Sequence, residues 1–229
     1  SFSEGEVAGN ALGRDFYLPH QIPVSGTGKY TVNDFSAKQS RFWLNMDTTV
    51  GGHTVSAYVE TDFQTATGTQ GSERTTNGYN LALRRAYVQF DGLTVGQDWS
   101  TFQNTAVLPE STDFVGVTEG TVFVRQPLVR YSTPLGKGVT FHVSAENGET
   151  ASALTTGPAL TENDDDGLPD IAARVNISGA MGDFAIAGLF RQLKVDNGIL
   201  DDTASGYGIS ASGKINLTSN KAYNISFMA

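Results

Sequence analysis

The chain has 229 residues, a formal charge of −9, no cysteine and 39% hydrophobic residues. The missing cysteines exclude a disulfide framework and thiolate metal ligation, and the negative charge argues against nucleic acid as the main partner. No run reaches the roughly 18 apolar residues of a membrane-spanning helix, while 26 glycines among many Ser, Thr and Asn suit a chain of turns and strands.

The chain begins at Ser1 without Met, which reads as an upstream segment removed or not included. Residues 1–35 show little periodicity: SFSEGEV is at most the tail of a strand, and Pro19, Pro23 and the glycines predict a loop through GNALGRDFYLPHQIPVSGTGKY. From Ser36 the alternation is regular. In SRFWLNMDT, Arg41, Trp43, Asn45 and Asp47 point one way and Phe42, Leu44 and Met46 the other. After the Gly51-Gly52 hairpin signal, Val55, Ala57, Val59 and Phe63 alternate with Ser56, Tyr58, Glu60 and Asp62, and a polar loop follows over 66–80.

The next strand pair turns at Phe90-Asp91-Gly92-Leu93. Leu83, Arg85, Tyr87 and Gln89 share one face, Ala86, Val88 and Phe90 the other, and the second strand ends at Gly96-Gln97-Asp98-Trp99. Residues 100–126 then lose any sustained period. A connection longer than about 12–15 residues is normally functional or disordered. Phe102, Phe114, Phe123 and several valines make this one too apolar for a solvated tail, so residues 101–125 are predicted to fold inward, into a pore.

Strands follow at 127–133 and 139–147, the latter with Val139, Phe141, Val143 and Ala145 on one side. A long loop is expected over 148–168. Ile171, Ala173, Val175 and Ile177 then alternate with Asp170, Arg174 and Asn176, a turn at 179–182 leads to a strand over 184–191, and a loop is expected near 195–205. Tyr207, Ile209, Ala211, Ile215 and Leu217 alternate with Ser210, Ser212, Lys214 and Asn216, and Tyr223, Ile225 and Phe227 stand opposite Asn224 and Ser226.

Tight turns fall near residues 51, 92, 136, 181 and 219, and the connections between those hairpins are long. Short turns at one end, long loops at the other and strands of about nine residues predict an all-β fold, a transmembrane antiparallel up-and-down β-barrel in the bacterial outer membrane. A soluble sandwich also alternates, with its apolar face inward; alternation alone does not tell inside from outside. Ten or eleven strands are legible, and a barrel must close. Residues 1–229 therefore read as a single barrel domain, incomplete at the C-terminal end.

SAKQSRFWLNMDT, LRRAYVQF, LTVGQDWSTF, FVGVTEGTVFVRQPLVRY, LPDIAARV and the GRDFYLPHQIPV loop together resemble the DcaP-like outer-membrane porins of Gram-negative bacteria, over most of residues 10–178. The resemblance implies a sixteen-stranded homotrimer that takes up small anionic solutes, dicarboxylates among them. It also implies that the strands nearest the N-terminus face the trimer axis and that the loop after Trp99 constricts the pore. Lipid and lipopolysaccharide of the outer membrane are the expected surroundings.

Arg41, Arg85, Arg130, Arg174 and Arg191 fall on five different predicted strands, with Arg125 at the end of the long loop. A guanidinium offers a fixed fork matched to carboxylate, and a ring of them focuses a positive field in a narrow lumen. Trp43, Glu60, Asp62 and Tyr87 share the expected pore-lining face, Asp47 and Glu146 add acids, and Glu110, Asp113 and Glu119 place acids on the constriction loop. The bland reading is that each Arg pairs with a neighbouring carboxylate to satisfy a buried charge. The acidic run at 162–170 resembles a calcium loop but lacks the closing glutamate, so a solvated loop is expected. His142 and Ser144, two apart on one face, leave a barrel hydrolase as an alternative; a soluble β-rich adhesin or ligand-binding module is another. The reading as a channel requires no enzyme activity, cofactor or metal.

Overall fold

The computed structural model describes residues 2–5, 30–33, 35, 37–65, 74, 76–108, 123–153, 160–163, 166–196, 201–220 and 223–229. Glu110, Asp113 and Glu119 lie outside these residues. The described strands are β1 (Phe2–Gly5), β2 (Tyr30–Asn33), β3 (Phe42–Val50), β4 (His53–Asp62), β5 (Ala82–Phe90), β6 (Leu93–Trp99), β7 (Arg125–Gly136), β8 (Val139–Glu146), β9 (Thr150–Ala153), β10 (Leu160–Asn163), β11 (Asp170–Gly179), β12 (Gly182–Asp196), β13 (Asp201–Asn216) and β14 (Asn224–Met228). Among the described residues there is no α-helix.

Ten strands hydrogen-bond in the linear order β14-β13-β12-β11-β8-β7-β6-β5-β4-β3, an up-and-down sheet that is not closed. β1 pairs with β2, and β10 with β9, as separate two-stranded sheets. The chain divides into two compact units, one of residues 1–44, 59–84 and 109–119, the other of residues 45–58, 85–108 and 120–229.

Three expectations need correction. A strand begins at Tyr30, the last residue of the expected loop, and runs to Asn33 where little periodicity was read, and the long 148–168 connection holds the β9–β10 hairpin. The loop expected near 195–205 is mostly strand, because β12 and β13 stay paired from Gly182↔Ile215 to Asp196↔Asp201. Each of these parts is short or broken by polar residues, so no period runs long enough to reveal a strand.

In the second unit the register lays the apolar residues in rows across the sheet. One row runs Val88–Val95–Val129–Ala145–Ile171–Phe190–Tyr207, and the next runs Phe90–Leu93–Tyr131–Val143–Ala173–Gly188–Ile209. These side chains are turned out: Phe190 is 43% and Ile209 82% exposed. Phe42, Leu44, Val59 and Ile171 are exposed too, and Val55, Phe141, Val143 and Val175 are partly covered. The opposite face is polar and covered, with Thr94, Asp98, Ser144, Glu146, Asp170 and Ser212 all buried. A soluble sandwich would show the reverse.

The short turns are held locally. Gly51 and Gly52 have φ of 60° and 87°, the pair of left-handed residues a type I′ hairpin requires. At the β5–β6 turn Asp91 accepts hydrogen bonds from Thr54 N (3.0 Å) and pairs with His53 Nδ1 (2.8 Å), and His53 stacks on Phe90. The His53 hydrogen bond, then that from Thr54, holds the Asp91 carboxyl below its ordinary value of 3.8. A depressed carboxyl stabilises the fold above its unfolded pKa, and that contribution is lost as pH falls through the folded one. Asp91→Asn should therefore flatten the stability profile below about pH 4 and leave its neutral limb lower but parallel. Urea unfolding across pH 2–6 checks this; an unchanged acid limb would contradict it.

Candidate functional site

The polar face of the second unit gathers the arginines. Arg130 on β7 and Arg85 on β5 share one carboxylate: Arg130 Nη2 lies 2.5 Å from Asp98 Oδ2 and Arg85 Nε 2.6 Å from Asp98 Oδ1. Arg130 Nη1 also donates to the Trp99 carbonyl at 3.2 Å. The Arg85 guanidinium lies over the rings of Tyr58 (4.8 Å) and Tyr87 (5.4 Å), which stack on each other at 5.4 Å. Arg174 on β11 is paired in register with His142 on β8, whose Nδ1 lies 2.8 Å from Ser132 Oγ. Arg174 Nη1 donates to the carbonyl of Gln103, its Nε is buried without a hydrogen-bond partner, and among the described residues it makes no ion pair.

These groups enclose a cavity of about 320 Å³, lined by Arg85, Gln89, Thr94, Asp98, Trp99, Ser100, Gln103, Thr105, Arg130, Ser132, His142 and Arg174. Three guanidinium groups thus face one lining carboxylate. Such a surplus of fixed donors suits an anion.

The first leg of the long connection closes one side of that cavity. Residues 100–108 carry a single 3-10 turn at Thr105–Val107, capped by Asn104, whose side-chain oxygen accepts from Ala106 N at 3.2 Å. Ser100, Thr101, Gln103, Asn104 and Val107 are buried. Glu146 on β8, 1% exposed, accepts from Thr101 N (2.7 Å), Ser144 Oγ (2.6 Å) and Gln126 Nε2 (2.8 Å). Asn104 Nδ2 donates to Ser212 Oγ on β13 at 2.9 Å. The two roots are tied together by Ser100 N to Val124 O (3.0 Å) and Val124 N to Gln103 Oε1 (2.9 Å).

The remaining expected site residues sit elsewhere. Arg125 stacks 3.7 Å from the Trp99 ring, with Phe123 against the same indole, and by alternation shares the face of Val129 rather than Arg130. Arg191 pairs with Asp170 at 3.2 Å. In the first unit Arg41 pairs with Glu60 (3.0 Å) and Asp62 (2.8 Å), and Asp62 also takes Arg84 at 2.7 Å. Trp43 is exposed on β3, a terminal strand of the sheet. In the acidic run, Asp166 accepts from Lys194 N at 2.8 Å.

Sequence reasoning missed Asp98, Gln103, Ser132 and Arg84. Asp98 shares the parity of Thr94 and was legible as an inward acid; Gln103 and Ser132 carry no signal without the pairing. The serine partner of His142 also differs from the expected one: it is Ser132, across the β7–β8 pair, while Ser144 donates to Glu146. Neighbours two apart on a strand meet less closely than cross-strand partners.

Glu146→Ala would take the acceptor from two buried donors, Thr101 N and Ser144 Oγ, and from the half-buried Gln126 Nε2. Each lost buried acceptor costs about 1–3 kcal/mol, so the substitution should cost about 2 kcal/mol or more and expose residues 100–108 to protease. Urea unfolding with limited proteolysis measures both, and a loss below about 1 kcal/mol with the loop still protected would contradict the arrangement.

Comparison with known proteins agrees with this architecture. The crystal structure of the outer membrane channel DcaP of Acinetobacter baumannii has a similar fold, with a TM-score of 0.71 and 24% identity over 95% of this chain. The chain spans 57% of the length of that channel. No curated protein matches. The family model of the Porin subfamily matches residues 19–228. The chain belongs to the porin subfamily and is an outer-membrane β-barrel protein.

Proposed function

We propose that this chain forms the wall of a channel through which small anionic solutes, dicarboxylates among them, diffuse passively across the outer membrane. The observation that carries the reading is the cavity in which Arg85, Arg130 and Arg174 face Asp98 alone among lining carboxylates. In this proposal the polar face is the lumen and residues 101–125, which carry the acids Glu110, Asp113 and Glu119, are its constriction. Arg125, stacked on Trp99, anchors the root of that loop instead of meeting solute. The resemblance to DcaP-like porins extends the proposal to a homotrimer of sixteen-stranded barrels.

The formal charge of −9 does not oppose anion selectivity. Screening over about 8 Å at physiological salt removes remote acids from the field at the cavity. A guanidinium at the narrow section acts at close range, where one unit charge is worth about 1 kcal/mol or more even in a strongly screening medium.

Reversal potentials in a planar bilayer under a salt gradient test the proposal. The wild-type channel should prefer anions. Arg130→Ala and Arg174→Ala should each lower the anion-to-cation permeability ratio roughly fivefold, the factor matching about 1 kcal/mol, with neutral sugars passing as before. Cation preference in the wild type, or unchanged ratios in both variants, would contradict it.

A further inference from the structure

Gly208 stands in the interior of β13, where glycine weakens a strand and marks a close approach by another group. Its φ lies outside the left-handed region, so the backbone there accepts any residue. The space does not. A Cβ at 208 would stand 3.3 Å from the Phe102 ring, closer than side chains ordinarily approach. Glycine at this position is explained by Phe102 of the long connection resting on it.

Ser212, four residues along the same face of β13, receives the Asn104 amide at 2.9 Å with both residues buried. The 3-10 turn that follows touches β13 and β14, and Val107 is buried there. From the other side of this segment, Gln103 and Thr105 line the arginine cavity, and the Gln103 carbonyl holds Arg174. One short segment is therefore set between β13 and the arginines.

We propose that β13 is the seat that positions residues 102–107, and that the side-chain volume at Gly208 determines the width of the arginine-lined cavity. The proposal rests on the reading of that cavity as the conduction path. Gly208 is a positioning residue: it acts through Phe102 and meets no solute itself.

The test is made on the native protein. Gly208→Leu should lower single-channel conductance about twofold or more and reduce the permeability of bulky anions more than that of chloride, as expected of a narrowed pore. Phe102→Ala in the same chain should restore both. Wild-type conductance in the Gly208→Leu variant, or a double variant that fails to recover, would overturn the proposal. A second arm does not depend on tolerating leucine. The chain has no cysteine, so Asn104→Cys with Ser212→Cys should be joined by a short bifunctional thiol reagent, read as a mobility shift in a denaturing gel without reductant. No cross-link in the folded protein would overturn the seat. Cross-linking of the double variant together with a wild-type protein that conducts no ions would overturn the channel reading and with it the width claim.

Discussion

An antiparallel strand turns every second side chain to the same face, and a backbone group left unpaired in lipid costs several kcal/mol. A chain in the outer membrane must therefore commit its backbone to the ladder, and the remaining freedom is which face takes the charges. This sheet puts Asp98, Glu146, Arg130 and Arg174 on one side. Asp98 is 3% exposed and Glu146 1%, while Ile209, on the other face of the same sheet, is 82% exposed. The arrangement inverts that of a soluble protein and has a consequence for chemistry: carboxylates held on a covered face require cations or several donors to keep their charge.

The donors settle how the site is organised. Glu146 is satisfied without any arginine, by a main-chain amide, a hydroxyl and a carboxamide, and its service is to hold Thr101 at the start of the long connection. Asp98 is shared by Arg85 and Arg130. Among the described residues Arg174 donates to a neutral carbonyl and makes no ion pair. The acids thus secure the scaffold, and positive charge is left over where the connection folds against the strands. A wall whose charges cancelled pair by pair would have no such surplus, as the compact group of Arg41, Arg84, Glu60 and Asp62 illustrates.

The main strands were legible because one face is uninterruptedly apolar, from Phe42-Leu44-Met46 to Tyr223-Ile225-Phe227, and period-2 alternation is the strongest signal a strand gives. The strands at 30–33, 150–153 and 160–163 and the outer halves of β12 and β13 were not legible. Segments such as TASA and Asp201-Asp202-Thr203 present polar or small residues to both sides, so pairing alone makes them strands. In the site, the parity of Arg85, Arg130 and Arg174 was readable from the strands themselves. What they touch was not: the contacts of Arg174 with Gln103 and of His142 with Ser132 depend on register and on the path of the loop. Arg125 shows the limit of residue type as a guide, since its position at the loop root turned it onto Trp99.

The polarity of the sheet can be read residue by residue along β12. Single cysteines at 184 to 190, unambiguous in a chain without native cysteine, can carry spin labels in protein reconstituted into lipid. Labels at Phe184, Ile186 and Phe190 should be relaxed by oxygen, which concentrates in the bilayer, and those at Ala185, Ala187 and Leu189 by a water-soluble nickel chelate, with a strict period of two. The opposite phase, or equal access of the nickel chelate to both sets, would contradict the account.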